Sequence, residues 1–175
     1  MKYQIYNCDC VEGMRQLPDS CIDLVVTDPP YKVETSGGSF VGKRDVFKDI
    51  DFMSRGLMVE QLDEICRVMK KINIYIFCSQ KQLPFLYDYF VKDKKRNWNL
   101  LTLHKTNPVP ACGNKYLSDT QYIMFFREKG VRIGGTFDTK RTYWSLPFDK
   151  ALKDKYNHPS IKPVSVLENL IINSS

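Results

Sequence analysis

The four residues Asp28-Pro29-Pro30-Tyr31 carry the clearest chemical signal in this chain. An ionised carboxylate, and a backbone carbonyl fixed by a proline, can each accept a hydrogen bond from an amino group on a flat ring. Two successive prolines fix φ, so these acceptors are held in place before a ligand arrives. A tyrosine ring can stack on the flat ring. The tetrapeptide therefore predicts a pocket for a planar amine, the alternative being a proline-rich strand exit with a solvent-facing Asp28.

The elements around this turn must hold it in place. Residues 21–27 are nearly all apolar and predict a strand buried on both faces of a parallel sheet. Asp28 then lies at the carboxyl end of that strand, where open α/β sheets bind their ligands. The other predicted strands are 3–7, 72–79, 98–105 and 120–128, the last in a hairpin-rich half, and the predicted helices are 10–17, 57–70, 80–93 and the stretch from near Pro163 to 173.

This alternation of strands and helices indicates an α/β fold with a mostly parallel sheet, in a single domain over residues 1–175. Residues 32–56 show no periodicity and predict a long mobile loop. No apolar run reaches the length of a membrane span, and the N-terminus lacks the apolar stretch of a signal peptide. These observations exclude a membrane-spanning chain and favour a cytoplasmic protein.

Charge and cysteine content narrow the function classes further. The chain has 26 Lys and Arg against 20 Asp and Glu, a net charge of +6 concentrated in residues 91–98, 139–144 and 149–156. This excess favours a polyanionic partner, although each run could equally be solvated surface. The six cysteines form no CxxC pair, and His104 and His158 are far apart in sequence, so no metal site is predicted. Reduced thiols in a cytosolic protein are expected.

The sequence resembles the DNA amino-methyltransferases, which use S-adenosylmethionine to methylate adenine N6 or cytosine N4. Residues 28–31 match their Asp/Ser/Asn-Pro-Pro-Tyr/Phe signature in full. The stretch LHKTNPVP (103–110) is similar to the family's Trp-x-Lys-x-Asn-x-x-Pro stretch, with Leu103 where Trp is commoner, and HPSIKP (158–163) is similar to its His-Pro-Thr-Gln-Lys-Pro box. This motif order is that of the permuted β-type members, and it implies a Rossmann-like methyltransferase fold.

The resemblance also implies roles for individual residues. Asp28 and the Pro29 carbonyl would accept hydrogen bonds from the target amine, Pro30 would stiffen the turn, and Tyr31 would stack on the flipped base. On the cofactor side, Asp9 and Cys10 would lie near the adenine of S-adenosylmethionine, and His158 and Lys162 near its amino-acid end, with Asp28 facing both substrates. Two alternatives stay open: Asp9 could cap a turn, and Lys162 could be a surface lysine.

For the nucleic acid, the resemblance places Lys105 and Asn107 in or beside a DNA cleft. The basic run that contains Lys140 and Arg141 would contact phosphates with little sequence preference. Residues from about 106 to 157 are a possible DNA-recognition insertion. The expected partner is double-stranded DNA, with a homodimer or a complementing C-terminal fragment as further possibilities.

The sequence departs from the family pattern in one place. The family's glycine-rich cofactor loop, Asp-Pro-Phe-x-Gly-Ser-Gly, has no counterpart here, since VRIGGTF (131–137) lacks the Asp-Pro-Phe context. In the family's sheet, two strands beyond the point reached at residue 175 lie between the strands expected at 3–7 and 21–27. The strand at 21–27 is therefore expected to have an unpaired edge. We expect a partial domain: a truncated remnant, a piece completed in trans, or a sequence that stops before the natural C-terminus.

The leading functional prediction is a site-specific DNA adenine-N6 methyltransferase of a bacterial or phage-type restriction-modification system, with S-adenosylmethionine as cofactor. Aspartate opens the signature in adenine and cytosine enzymes, but serine is commoner in the cytosine ones, which favours adenine. The alternatives are a cytosine-N4 methyltransferase, a catalytically silent DNA-binding remnant or half of a split enzyme, and an RNA or small-molecule methyltransferase.

Overall fold

The structure is a computed structural model that describes residues 3–31, 56–110, 113–156 and 161–174. Nearly all of the loop predicted at 32–56, and His158, therefore lie outside the described residues. The rest of the chain forms one mixed sheet with helices on both faces. No helix among the described residues is long and apolar enough to cross a membrane.

The sheet has five strands in the order β1-β2-β4-β3-β5. They are β1 (Val25–Thr27), β2 (Asn73–Cys78), β3 (Asn97–Lys105), β4 (Thr120–Arg127) and β5 (Tyr143–Leu146). β1 runs parallel to β2 and β3 runs parallel to β5, whereas β4 is antiparallel to both β2 and β3. Four strands thus point one way and only β4 points the other way, which confirms the mostly parallel sheet and the predicted hairpin.

The helices are α1 (Cys10–Arg15), α2 (Val59–Val68), α3 (Leu83–Tyr87), α4 (Lys150–Tyr156) and α5 (Val164–Ser174). A 3-10 turn at Gln80–Gln82 precedes α3 and a π-helical turn at Asp88–Asp93 follows it. Pro84 lies in the first turn of α3, as predicted, where its missing N–H costs no helical hydrogen bond.

Each face of the sheet has its own core. On one face, Leu62 and Ile65 of α2 and Leu86 of α3 pack against the even-numbered residues of β2 and β4. On the other face, Val166 and Leu170 of α5 pack against the odd-numbered residues of the same strands. All six residues of β2 are buried because both faces are covered, which explains the unbroken apolar run at that position.

Three predictions about strands were wrong or incomplete. Residues 3–7 are exposed coil, with Tyr3 and Ile5 87% and 88% exposed, because apolar residues form a strand only where a neighbour pairs with them. In the predicted strand 21–27, only residues 25–27 pair continuously, and Ile22 makes an isolated bridge to Met69. β1 is half-buried and is an edge strand among the described residues, in agreement with the expected unpaired edge. β5 was not predicted.

The C-terminal end of α5 is fixed by side-chain hydrogen bonds. Tyr75 and Ser174 join their hydroxyl oxygens at 2.8 Å, and the Asn73 amide donates to the Ser174 carbonyl at 3.1 Å. The Asn173 amide donates to the Thr139 carbonyl at 2.7 Å, while the Thr139 hydroxyl donates to Asn173 Oδ1 at 2.8 Å. These contacts fix α5 relative to the sheet, and with it the residues just before the helix.

Candidate active site

The candidate site lies at the carboxyl edge of the four parallel strands. Asp28 follows β1, Ser79 follows β2 and Lys105 ends β3, while β4 begins at the same edge because it runs in the opposite direction. A cleft of about 700 Å³ opens there. Its lining residues are Tyr31, Cys78, Ser79, Gln80, Lys105, Tyr116, Leu117, Ser118, Asp119, Thr120, Gln121 and Tyr122. This is the edge at which open α/β sheets bind ligands.

The turn after β1 holds Asp28 and Tyr31 in contact with each other. Pro29 is buried, and the Tyr31 hydroxyl donates a hydrogen bond to Asp28 Oδ1 at 3.0 Å. Burial, followed by the nearby Asp28 carboxylate, raises the pKa of Tyr31, so its hydroxyl stays protonated and remains a donor. The carboxylate and the tyrosine ring are therefore held together as one unit.

Lys162 completes this unit from the other side of the sheet's edge. Its ammonium group donates to Asp28 Oδ2 at 2.5 Å and lies 5.5 Å from the centroid of the Tyr31 ring and 5.4 Å from that of Phe77. The Lys162 side chain is only 7% exposed. It is therefore not the surface lysine that the sequence left as an alternative, and it lies in the coil two residues before α5 begins.

Both oxygens of Asp28 thus have a donor, yet the carboxylate keeps room for another. A carboxylate has about four lone-pair positions, and the hydrogen bonds from Tyr31 and Lys162 use one on each oxygen among the described residues. The Asp28 side chain is 34% exposed. An amino group that reaches the cleft can consequently still donate to Asp28.

Lys105 lines the cleft, whereas Asn107 is not among its lining residues. Burial lowers the pKa of Lys105, and the positive charge of Lys162 lowers it further because a nearby like charge disfavours the charged form. The Lys105 ammonium lies 4.8 Å from the centroid of the Phe148 ring. Asn107 is engaged in structure: its amide donates to the Phe148 carbonyl at 3.0 Å, and its Oδ1 accepts from the Phe148 backbone N–H at 2.7 Å.

Other residues proposed from the sequence lie elsewhere or serve a different role. Asp9 caps α1 by accepting hydrogen bonds from Val11 and Glu12, and Cys10 is the exposed first residue of that helix. The capping role of Asp9 is the alternative that the sequence left open. Lys140 and Arg141 are exposed just before β5, at the opposite edge of the sheet from Asp28. The structure therefore does not bring these two residues to the cleft.

The structure also shows site residues that the sequence did not indicate. The Gln121 side chain is buried in the lining of the cleft, and its amide oxygen has no hydrogen-bond partner among the described residues. Tyr116 lines the cleft, and the Phe77 ring lies near the Lys162 ammonium group. A polar residue at the start of the otherwise apolar strand TQYIMFFR was the available signal for Gln121. Phe77 gave no signal, because it lies in a uniformly apolar run.

The sequence model of a DNA methylase family, the N6/N4 type, matches residues 22–175. The chain belongs to this family. In this N6/N4 methylase chain, the turn that follows β1 and the coil that precedes α5 bring Asp28 and Lys162 into contact.

Individual relatives are similar over nearly the whole of this N6/N4 methylase chain. The type II methyltransferase M.HinfI of Haemophilus influenzae is 27% identical over 195 residues, which cover 95% of this chain and 54% of M.HinfI. The DNA adenine methyltransferase YhdJ of Escherichia coli (strain K12) is 23% identical over 201 residues, covering 98% of this chain and 67% of YhdJ. The chain spans about half the length of M.HinfI and two thirds of that of YhdJ.

A solved structure shares the fold. The crystal structure of the M1.HpyAVI–SAM complex has a TM-score of 0.65 at 18% identity, over 98% of this chain and 78% of that chain. At this identity the likeness concerns the fold alone, and it agrees with the Rossmann-like methyltransferase fold expected from the sequence.

Proposed function

We propose that this protein transfers a methyl group from S-adenosylmethionine to the N6 amino group of adenine in double-stranded DNA. The observation that carries the proposal is the Asp28–Tyr31–Lys162 unit at the edge of the cleft. It unites an amine acceptor, an aromatic ring and a buried cation, and membership of the N6/N4 methylase family gives that combination its chemistry.

The residues of the unit have separate tasks in this proposal. Asp28 and the Pro29 carbonyl accept the two N–H bonds of the target amine, which draws its lone pair out of conjugation and aims it at the incoming methyl group. Tyr31 offers its ring as a stacking surface for the flipped base. Because the Tyr31–Asp28 hydrogen bond and the buried Lys162 fix the carboxylate beforehand, this orientation costs little at the moment of reaction.

The charges of the site fit S-adenosylmethionine. The cofactor has an amino-acid end with a carboxylate and an ammonium group, and the cleft edge offers a buried cation in Lys162 and an anion in Asp28. The unpaired Gln121 amide oxygen is a further acceptor in the lining. When bound, the cofactor supplies an electrophilic methyl group on a positively charged sulfur.

The cleft favours direct transfer to nitrogen over methylation of a ring carbon. Carbon methylation requires an enzyme nucleophile, for which a thiolate is suited. Among the described residues, the thiol that lines the cleft is that of Cys78, and burial raises its pKa to about 12. It is therefore protonated at neutral pH and does not attack, whereas an exocyclic amine held by Asp28 needs no such partner.

Adenine is proposed over cytosine on two grounds. The signature begins with aspartate, and the similar protein YhdJ is named a DNA adenine methyltransferase. A bacterial or phage-type cytoplasm and a restriction-modification setting are part of the same proposal, supported by the bacterial sources of these relatives and by the type II naming of M.HinfI.

The test is the identity of the methylated nucleoside. Unmethylated phage DNA is incubated with the protein and S-adenosylmethionine, digested to nucleosides and analysed by mass spectrometry. We expect N6-methyladenine as the product. N4-methylcytosine as the only product would show a cytosine enzyme instead. Methylation of RNA, with none of DNA, in the same assay would show that RNA is the substrate.

A second candidate function is a DNA-binding protein without transferase activity. The observation in its favour is the exposed edge of β1 together with the exposed coil at 3–7, since both leave the cofactor side of the sheet uncovered among the described residues. Calorimetric titration with S-adenosylmethionine separates the two candidates. Micromolar binding supports the enzyme, whereas duplex DNA binding by folded protein with no heat from the cofactor supports the second candidate.

A further inference from the structure

The connection between β3 and β4 presents a bare aromatic ring at the mouth of the cleft. Tyr116 lies in this connection and its side chain is fully exposed, at 101% of the reference value, while the neighbouring Leu117 is 37% exposed. Both residues line the cleft that also contains Tyr31. A single exposed tyrosine on a surface needs no explanation, but this one lines the same cleft as Tyr31, the ring on which the flipped base is proposed to stack.

The base of this connection is fixed, so the ring is presented from a defined position. The Lys105 backbone N–H donates to the Asp119 carbonyl at 2.7 Å, and the Thr120 hydroxyl donates to Asp119 Oδ1 at 3.0 Å. His104 Nδ1 lies 3.8 Å from Asp119 Oδ2. The segment that carries Tyr116 therefore rises from an anchored pair of strand ends, at the same edge of the sheet as Asp28.

The charges around the ring suit a nucleic acid. Lys115 precedes Tyr116 in sequence and is exposed, and Lys105 lies in the same cleft wall. Two cations can attract phosphates, and an aromatic ring can stack on any of the four bases. When a base leaves the duplex, it leaves an unstacked gap, and proteins that open a duplex commonly fill such a gap with an apolar side chain.

We propose that Tyr116 inserts into the DNA base stack and fills the gap left by the base that enters the Asp28–Tyr31 pocket. The inference rests on the proposed function, because it assumes a duplex substrate with a flipped base. It adds an intercalating residue to the cleft that Tyr31 also lines, so that one aromatic ring receives the base and another replaces it in the duplex.

The test compares binding to two short duplexes of identical sequence, one intact and one with a single abasic position. The abasic duplex already contains the gap, so a protein that fills it saves the unstacking cost of a few kcal/mol. We expect the wild-type protein to prefer the abasic duplex by about tenfold or more, which corresponds to about 1.4 kcal/mol. Tyr116→Ala should abolish this preference while binding the intact duplex within about twofold of wild type, and Tyr116→Phe should keep the preference because the ring remains.

Tyr3→Ala is the matched control, since Tyr3 is a similarly exposed tyrosine outside the cleft. The inference is overturned if the wild-type protein shows no preference, if Tyr116→Ala keeps it, or if Tyr3→Ala loses it equally. Because the readout is binding, it is independent of methyl transfer. A Tyr116-dependent preference without any methylation contradicts only the proposed function, and methylation without that preference contradicts only the role of Tyr116.

Discussion

Among the ion pairs of the described residues, the one between Lys162 and Asp28 has the most shielded cation. Lys162 is 7% exposed and has two aromatic rings near its ammonium group, whereas the Lys70–Asp23 pair has side chains 54% and 76% exposed. A shielded cation depends on its partner, because water does not replace the lost contact. An exposed ion pair contributes little to stability, because water solvates both charges when the contact is lost.

This difference predicts unequal costs for two matched substitutions. Lys162→Met should lower the free energy of unfolding by about 1–3 kcal/mol, less than for a fully buried pair because Asp28 is partly exposed. Lys70→Met should cost under about 1 kcal/mol. Urea denaturation of both variants measures the difference. Equal small losses would mean that Lys162 is solvated like a surface lysine.

Lys105 gives a prediction about pH. Its pKa is lowered by burial and by Lys162, so the folded state disfavours the charged form. The unfolded chain then binds more protons below the unfolded pKa of about 10.5, and stability rises with pH as Lys105 loses its proton in the folded state. The free-energy cost of holding charged Lys105 in the folded state is fully present at pH 7 and disappears as the pH approaches 10.5.

Lys105→Met should therefore be more stable than wild type at pH 7, and its advantage should shrink as the pH is raised toward 10. Denaturation curves of both proteins at several pH values give the difference directly, which cancels the titration of other groups. Lys115→Met, at an exposed position, is the control and should show no such trend. An advantage of Lys105→Met that grows with pH would contradict the assigned cause.

At the scale of elements, the sequence predicted the strands and helices whose apolar side chains are buried in the core. The apolar run of β2 and the helical spacing of Leu62 and Ile65 in α2 reflect burial that the structure confirms. The coil at 3–7 has a similar apolar content but lacks a neighbouring strand among the described residues, and strand pairing is not encoded locally. β5 has four residues of mixed polarity, so its sequence alone did not predict that it pairs with β3.

The same limit applies to the candidate site. Residues 28–31 could be predicted because a rigid turn and its chemistry are local to four residues. The contact between Asp28 and Lys162 spans 134 positions in sequence and was not predicted, because the family resemblance placed both residues near the cofactor without pairing them. Gln121 and Tyr116 depend on which strand ends meet at one edge, which the order β1-β2-β4-β3-β5 decides.

The helix that follows Lys162, α5, is held by a loop in which one position requires glycine. Gly135 has φ +76, and a Cβ there would collide with the side-chain oxygens of Asn173 and Thr139. Gly134, its neighbour, has only ordinary contacts, at 3.7 Å to two backbone oxygens of α5. Gly135 therefore lets the loop approach the end of α5, where Thr139 and Asn173 exchange hydrogen bonds.

Gly135→Ala should destabilise the protein by about 2 kcal/mol or more, because it combines backbone strain with a steric clash. Gly134→Ala should change stability by less than about 1 kcal/mol. Thermal and chemical denaturation of both variants measure this contrast. If Gly135→Ala were no worse than Gly134→Ala, the loop would not be fixed against α5 as described.

At the scale of the whole molecule, the net charge of +6 is not gathered at the cleft. Lys105 and Lys162 lie at the carboxyl edge of the sheet, while Lys140 and Arg141 lie at the opposite edge. A charge excess spread in this way predicts salt-sensitive affinity for DNA, but it does not by itself direct DNA to the Asp28 pocket. The proposed methyl transfer therefore depends on the residues of the site rather than on the overall charge.

The most direct measurement is the transfer of tritiated methyl groups from S-adenosylmethionine to unmethylated duplex DNA by wild type, Asp28→Ala and Asp23→Ala. Asp23 is an exposed aspartate five positions before Asp28 and serves as the control. The account predicts that Asp28→Ala loses transfer by on the order of 10²-fold or more while still binding DNA, and that Asp23→Ala resembles wild type. Transfer by Asp28→Ala at the wild-type rate, or none by folded wild-type protein, would contradict it.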